Sequence, residues 1–506
     1  MMIFREMSVR VEKMELDDLF YLQMKRILPV LLFLGVVLLY TQLWAAQSLL
    51  VKDIEQGQDG SYPRYMVEKN GILFFTAWDS VHGRELWKSD GTVDGTELVK
   101  DITFGPDNTF GTSAQDYSVQ NFTVIDDILY FTASTDGGST WKLWRSDGTE
   151  EGTIPLCKTG TQYVNPVKLK GKIYFLGYDS AHGQELWMSD GTAMGTEMVK
   201  DIYPGDSNSY PSSITNINNV LFFAADDQEH GRELWKSDGT ADGTTLVQDI
   251  WEGAHDSKPH GLTNVNGTLY FVACDGSGIG SELWKIVGTT GSATLVKDII
   301  DGNTCYDDSY SNLMGINDRL YFVVDDGTHG RELWISDGTT GGTRMVKDIN
   351  SGQEGSIPYL GSMTVMNDHL YFTADDGIHG PELWASDGTL AGTMMVKDTV
   401  DGDYGGNPRA LIHESGMLFF VASDASHGPY LWRSDGTESG TVRLGYPDRI
   451  YISNDASELV SINGVLYFTW WDDGYGTELR KYRVPPASAF GFPWTEFLPA
   501  ILGRGK

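Results

Sequence analysis

A histidine stands three residues ahead of a glutamate again and again along this chain. His82, His182, His230, His329 and His379 precede Glu85, Glu185, Glu233, Glu332 and Glu382, and His427 precedes Tyr430 in the same way. An imidazole next to a carboxylate is the material of acid–base catalysis or of a metal site. A metal site needs three or four ligands converging on one point, whereas copies carried by a repeat are distributed around it. The favoured reading is therefore a turn residue copied because its unit is copied. A second candidate is the aspartate of a recurring Asp-Gly-Thr: Asp90, Asp147, Asp190, Asp238, Asp337, Asp387 and Asp435, joined by acidic pairs at 325–326, 375–376 and 472–473. So many hard oxygens keep Ca2+ open as a ligand. Yet no stretch matches D-x-[DN]-x-[DN]-G with its distal Glu, and Asp and Gly are ordinary turn residues. No other cofactor is evident, and no catalytic, cofactor-binding or metal residue is named.

Tryptophan is the third candidate. Trp87, Trp144, Trp187, Trp235, Trp284, Trp334, Trp384 and Trp432 could stack on sugars. At one fixed position of a repeat they serve packing better, each burying on the order of 200 Å2. Trp78, Trp141, Trp251, Trp470 and Trp471 break the pattern and are the better candidates for exposed aromatics. Of three cysteines, Cys274 and Cys305 could pair and leave Cys157 odd, with three free thiols as the alternative. No G-x-S-x-G, Walker loop, H-E-x-x-H, C-x-x-C or dinucleotide fingerprint is present.

The elements that must position these residues are repeats. The Trp phrase, with neighbours such as His-Gly-Arg-Glu-Leu-Trp-Lys-Ser-Asp-Gly-Thr at 82–92, returns roughly every 50 residues, a blade-like period. A second phrase, Leu/Met-Val-Lys/Gln-Asp-Ile/Thr, occurs at 50–54, 98–102, 198–202, 246–250, 295–299, 345–349 and 395–399. A third, Leu-Tyr-Phe or Leu-Phe-Phe, with Ile-Tyr-Phe at 173–175, precedes each Trp phrase. Each unit then holds four short apolar stretches, the first ill-defined. Aromatic and β-branched content with Gly, Asp and Asn punctuation predicts strands. Asn-Gly at 70–71, 266–267 and 463–464 is hairpin chemistry, because both central residues must tolerate positive φ. Four strands per unit predict an all-β, closed β-propeller over 49–484, of about nine blades, with eight as the alternative. The chain of units opens on a lone fourth strand at 49–54 and closes on a unit lacking one, so the N-terminal strand is expected to pair with 478–484 and complete the last blade. That removes two open sheet edges. Residues 485–506 carry no repeat and read as a tail.

Glycine is abundant, 59 of 506 residues, and 41% of the chain is hydrophobic, which excludes disorder. Acidic residues outnumber basic ones by 70 to 37, for a net charge of −33. Such a surface repels phosphate backbones, so nucleic acid and anionic membranes are excluded as generic partners. One apolar run, 27–40, follows Met24-Lys25-Arg26 and ends near Ala45-Ala46. Residues 24–46 therefore read as a secretory signal peptide, with 1–23 as start-site overhang and an uncleaved anchor as the alternative. The expected location is outside the cytoplasm: periplasmic, at the cell surface or secreted, with no membrane contact beyond that segment.

The phrase E-L-W-x-x-D-G-T, most exact at 85–92, 185–192, 233–240, 332–339 and 382–389, resembles the ELWxxDGT repeat family of exported, mostly bacterial proteins. That resemblance implies no settled catalytic residues. The expected function is a non-enzymatic binding module for protein or carbohydrate at or outside the cell surface, presented on loops at 107–120, 251–260 and 303–312. The alternative is a carbohydrate-active hydrolase or lyase with a carboxylate site on one propeller face.

Overall fold

A computed structural model describes residues 49–102, 119–136, 140–278, 280–300, 305, 310–357, 362–424, 427–444 and 459–484. The chain divides into two compact units, Met1–Ser48 and Leu49–Lys506. The expected signal segment, the start-site overhang, the tail at 485–506, and all but the last two residues of the 107–120 loop lie outside the described residues.

Side chains in the third-strand phrase alternate Glu, Leu, Trp, and the strand ahead of it reads Leu-Tyr-Phe. Both faces of such strands are apolar, which suits a sheet packed on each side. The result is nine four-stranded antiparallel sheets among the described residues, each in sequence order except the last. They form a ring, a β-propeller with no helix among the described residues. We number the blades from blade 1 (64–100) through blade 2 (119–158), blade 3 (167–200), blade 4 (212–248), blade 5 (260–297), blade 6 (310–345), blade 7 (363–397) and blade 8 (409–443) to blade 9 (459–483 with 49–50).

Register is the same in blade after blade. The second-strand Phe faces the third-strand Trp as Phe75↔Trp87, Phe223↔Trp235, Phe322↔Trp334 and Phe420↔Trp432. In blade 9 the Trp is missing and Phe468 faces Arg480. The repeat tryptophans are buried apart from the half-buried Trp187, and they fill the space between blades. One core cluster joins Leu383, Ala385 and Val396 of blade 7 to Leu418, Phe420 and Trp432 of blade 8. Lysines of the Val-Lys-Asp phrase lie across the junction, Lys200, Lys297 and Lys347 resting over the rings of Trp235, Trp334 and Trp384 in the following blade. Of the aromatics expected at the surface, Trp471 is exposed, Trp78 and Trp251 are half-buried, and Trp141 and Trp470 are buried.

Closure comes from the N-terminal strand. Leu49 pairs with Lys481 and Leu50 with Arg480, and Val51 N donates to Leu479 O at 2.9 Å. The paired strand, Leu49–Leu50, is shorter than the 49–54 expected, because the chain bends away after Val51 toward blade 1. Val51 is buried with Phe75 and Trp87 of blade 1 and with Tyr467 and Leu479 of blade 9. Val51→Asp should therefore cost about 2–4 kcal/mol by burying a charge at that seam and should promote self-association through the freed edge. Denaturation midpoints and light scattering measure both, and a variant as stable and as monodisperse as the parent would show that closure does not depend on this seam.

First strands touch their neighbours around the ring, blade 3 to 4, 4 to 5, 5 to 6 and 9 to 1 among them, so they form its inner wall. In blades 1, 2, 4, 5, 6 and 8 this strand carries a register shift. The residue inside the shift takes positive φ: Tyr65, Asn121, Ser213, Gly261, Asn312 and Ala410. These are bulges, which bend a strand and turn side chains toward a new direction.

Candidate functional site

The repeated histidines do not pair with the glutamates that follow them. Each bonds through Nδ1 to an aspartate three residues earlier: Asp79 to His82 at 2.9 Å, Asp227 to His230 at 2.8 Å, Asp326 to His329 at 2.8 Å and Asp376 to His379 at 2.8 Å, with Asp179 and His182 alike. The same aspartates accept the histidine backbone N–H, closing the turn into the third strand. Hydrogen bonding to the carboxylate raises these five imidazoles above their ordinary range. Among the described residues no three His, Cys, Asp or Glu side chains gather as a metal site.

The Asp-Gly-Thr aspartates likewise serve a turn. Asp238 Oδ1 accepts from Thr240 N at 2.9 Å and Thr240 Oγ1 at 2.7 Å, while Thr240 Oγ1 accepts from Gly243 N at 3.0 Å. Asp90, Asp147, Asp190, Asp337, Asp387 and Asp435 repeat the arrangement. A Cβ on Gly243 would stand 2.0 Å from the Asp238 carboxylate, which accounts for the second Gly of the phrase.

The glutamates of Glu-Leu-Trp have a different duty. Glu85, Glu185, Glu233, Glu282, Glu332, Glu382 and Glu478 are fully buried. Each takes hydrogen bonds from the segment leading into the next blade. Glu233 accepts from Ile250 N at 3.0 Å, Ser257 N at 3.0 Å and Ser257 Oγ at 2.6 Å. Glu282 uses Tyr310 Oη at 2.9 Å, and Glu382 uses Thr399 Oγ1. Burial pushes Glu185, Glu233, Glu282, Glu332, Glu382 and Glu478 up to about 7. These seven are clips between consecutive blades.

Cys274 and Cys305 form a disulfide with Cα atoms 5.8 Å apart, tying blade 5 to the segment ahead of blade 6. Cys157 is a free thiol that burial pushes up to about 12, which keeps it from acting as a nucleophile near neutral pH.

One cavity, of about 860 Å3, opens on the inner wall where the segment entering blade 3 meets the first strands of blades 4, 5 and 6. This size suits a small molecule. His260 lines it. Its Nδ1 lies 3.0 Å from Lys258 O, a group that only accepts, so Nδ1 carries a proton and, in the neutral imidazole, Nε2 presents a lone pair. That Nε2 is buried with no partner, and so is Nδ2 of Asn312, the bulge residue of blade 6 on the same cavity. Arg232 also lines it and donates through Nη2 to Ser212 Oγ at 2.5 Å. Tyr163 and Tyr210 stand exposed on its wall. Of these residues only His260 and Asn312 were singled out from the sequence, as the last members of loops 251–260 and 303–312. The other signal available was substitution at the residue after His-Gly, which is Arg84, Gln184, Arg232, Arg331, then Pro381.

No family model and no curated protein matches the chain. Solved structures do. A puromycin hydrolase matches at 14% identity over 75% of this chain and 60% of its own, with a TM-score of 0.37. The β-propeller domain of the Trilobed protease from Pyrococcus furiosus matches at 10% identity over 77% of this chain and 99% of its own, TM-score 0.37. A prolyl endopeptidase matches at 12% identity, 84% and 54% coverage and TM-score 0.42. The chain thus spans about 60% of the length of the puromycin hydrolase. At these identities the likeness is one of fold, the β-propeller. The matching propellers come from proteins named as hydrolases of peptides or puromycin. That corrects the expected function: neither a non-enzymatic module for protein or glycan nor a carbohydrate-active enzyme is what these neighbours are, and they assign no activity of their own to this chain.

Proposed function

We propose that this protein acts on small molecules taken into the inner-wall cavity, with His260 as the group that accepts a hydrogen bond or a proton from the bound molecule. One observation carries this reading: His260 and Asn312 both line this cavity, and His260 Nε2 and Asn312 Nδ2 are buried beside it without hydrogen-bond partners. A buried polar group left unpaired costs about 1–3 kcal/mol, and a ligand that the two side chains turn to meet recovers that cost on binding. An imidazole nitrogen is also a group that serves as a general base, so hydrolysis is tested beside binding.

The supporting test is a screen of small polar metabolites by thermal shift and calorimetry, with hydrolysis followed in the same samples. His260→Phe keeps a ring and removes the acceptor, and should weaken a hit at least about tenfold, or about 1.4 kcal/mol. Hits that bind His260→Phe as well as the parent would overturn the proposal. The ELWxxDGT phrases further support membership of that exported repeat family, and the run at 24–46 supports export through a signal peptide. Both belong to the proposal.

A further inference from the structure

The inner-wall bulges of blades 1, 2, 4, 5, 6 and 8 share a pattern: the residue after each is apolar, being Met66, Phe122, Ile214, Leu262, Leu313 and Leu411. In blade 1 the bulge residue itself is Tyr65, and its ring centre lies 6.3 Å from that of Phe122, the apolar residue after the bulge of blade 2. The same relation holds farther round the ring. A Cβ on Gly261, the bulge residue of blade 5, would stand 3.3 Å from the Leu313 side chain of blade 6. Thr215 Oγ1 donates to Leu262 O at 3.1 Å and Thr263 Oγ1 to Leu313 O at 3.4 Å, so these strands meet in step. Ser213 therefore stands to Leu262 as Tyr65 stands to Phe122. Yet Ser213 and Gly261 carry no ring, and they line the cavity together with Ile214, Leu262 and Leu313.

We infer that the cavity takes a ligand with a flat aromatic or heteroaromatic ring, seated where blade 1 seats the ring of Tyr65. This rests on the small-molecule reading above. The wall supplies what such a ring needs. Ile214, Leu262 and Leu313 are half-buried and offer it an apolar floor. Tyr163 and Tyr210, from the segments entering blades 3 and 4, line the same cavity and are 72% and 52% exposed, so both rings are open to a partner. Aromatic rings gain from offset or edge-to-face contact with one another beyond the area they bury. A saturated ring of equal size covers the floor but forgoes that gain.

Three neutral probes separate these cases: 2-phenylethanol, 2-cyclohexylethanol and erythritol, titrated into the full chain and followed by ligand-observed NMR. Phenylethanol is expected at one site, about threefold tighter than cyclohexylethanol and more than about tenfold tighter than erythritol. Ser213→Tyr rebuilds the blade 1 arrangement, and the backbone accepts it, since Tyr65 and Ser213 both have φ of 55°. That variant should keep the parent's melting temperature and weaken phenylethanol about tenfold or more by occupying its place. Tyr163→Ala, at the more exposed of the two wall rings, should weaken it about threefold. Cyclohexylethanol matching phenylethanol overturns this inference, and so does phenylethanol binding that a folded Ser213→Tyr leaves unchanged. If Ser213→Tyr does not fold, an unweakened Tyr163→Ala overturns it alone. Small polar hits still lost in His260→Phe would then leave the small-molecule reading standing. Failure of all three probes overturns the inference as well, and removes the small-molecule reading only if the wider screen yields no hit that His260→Phe weakens.

Discussion

Glu233→Ala should lower the stability of the ring by roughly 3–5 kcal/mol, far more than an average substitution. The carboxylate it removes is fully buried and accepts from two backbone N–H groups and one hydroxyl, those of Ile250 and Ser257. Without it, three donors at the junction of blades 4 and 5 are left in a space closed to water, and each orphaned donor costs about 1–3 kcal/mol. Some relaxation or a trapped water offsets part of the sum. Glu233→Gln keeps the volume and one acceptor but turns an NH2 toward the same donors, so its loss should be intermediate. The same change at the exposed Glu97 should be nearly silent, since its partner Lys88 sits in a solvent-screened ion pair. Denaturation midpoints for the three variants give the order directly. A Glu233→Ala protein within 1 kcal/mol of the parent would mean that the clip contributes little and that apolar packing between blades holds the ring alone.

The strands and their closure were legible because the packing residues repeat. Leu-Tyr-Phe, Trp and Val-Lys-Asp occupy equivalent places between equivalent neighbours, so each blade selects the same side chains. The order of the pieces, a fourth strand first and three strands last, stated the ring closure outright. The repeated His was read as a turn residue and lies in a turn, with an aspartate as its partner and not the glutamate of the alternative reading. Spacing alone offers both Glu85 and Asp79 to His82, and only the strand direction decides. Glu85 lies on the strand and faces inward, whereas Asp79 lies across the turn. The cavity was the least legible part, for a physical reason. It is built on the first strand, where a bulge admits Tyr, Asn, Ser, Gly or Ala at one position. The inner wall packs against no common partner, so nothing forces its residues to repeat. Trp141 and Trp470 misled for the opposite reason: departing from the repeat, they still fall on buried strand positions opposite Ser134 and Glu478.

The fold should be most stable in mildly acidic solution and should weaken steadily from pH 5 to pH 8. Burial raises Glu185, Glu233, Glu282, Glu332, Glu382 and Glu478 to about 7, against an ordinary 4.5. Between those values the folded chain holds protons that the unfolded chain has released, so stability falls as pH rises through that window and levels off above it. The five turn histidines act in the same direction. Their hydrogen bonds to aspartate raise them above 6.5, so their contribution is full below that value and lost as pH climbs through the raised one. Asp90, Asp147, Asp190, Asp238, Asp337 and Asp387 of the Asp-Gly-Thr turns act oppositely. Hydrogen bonds from Thr92, Thr149, Thr192, Thr240, Thr339 and Thr389 lower them below 3.8, so their contribution is present above 3.8 and lost only in stronger acid. Self-repulsion in a chain of net charge −33 deepens the alkaline decline. Protonation need not open the clips: Ser257 Oγ, now donating to Glu233, can rotate to accept instead, while the backbone N–H groups keep their oxygens. A rise from 4.5 to about 7 corresponds to at most about 3 kcal/mol per glutamate across the window. Unfolding midpoints from pH 4 to pH 9 would trace the profile, and replacing two of the six by Gln should flatten it in proportion. A midpoint that rises from pH 5 to pH 8 would show that the clips stay ionised throughout, their donors outweighing the cost of burial.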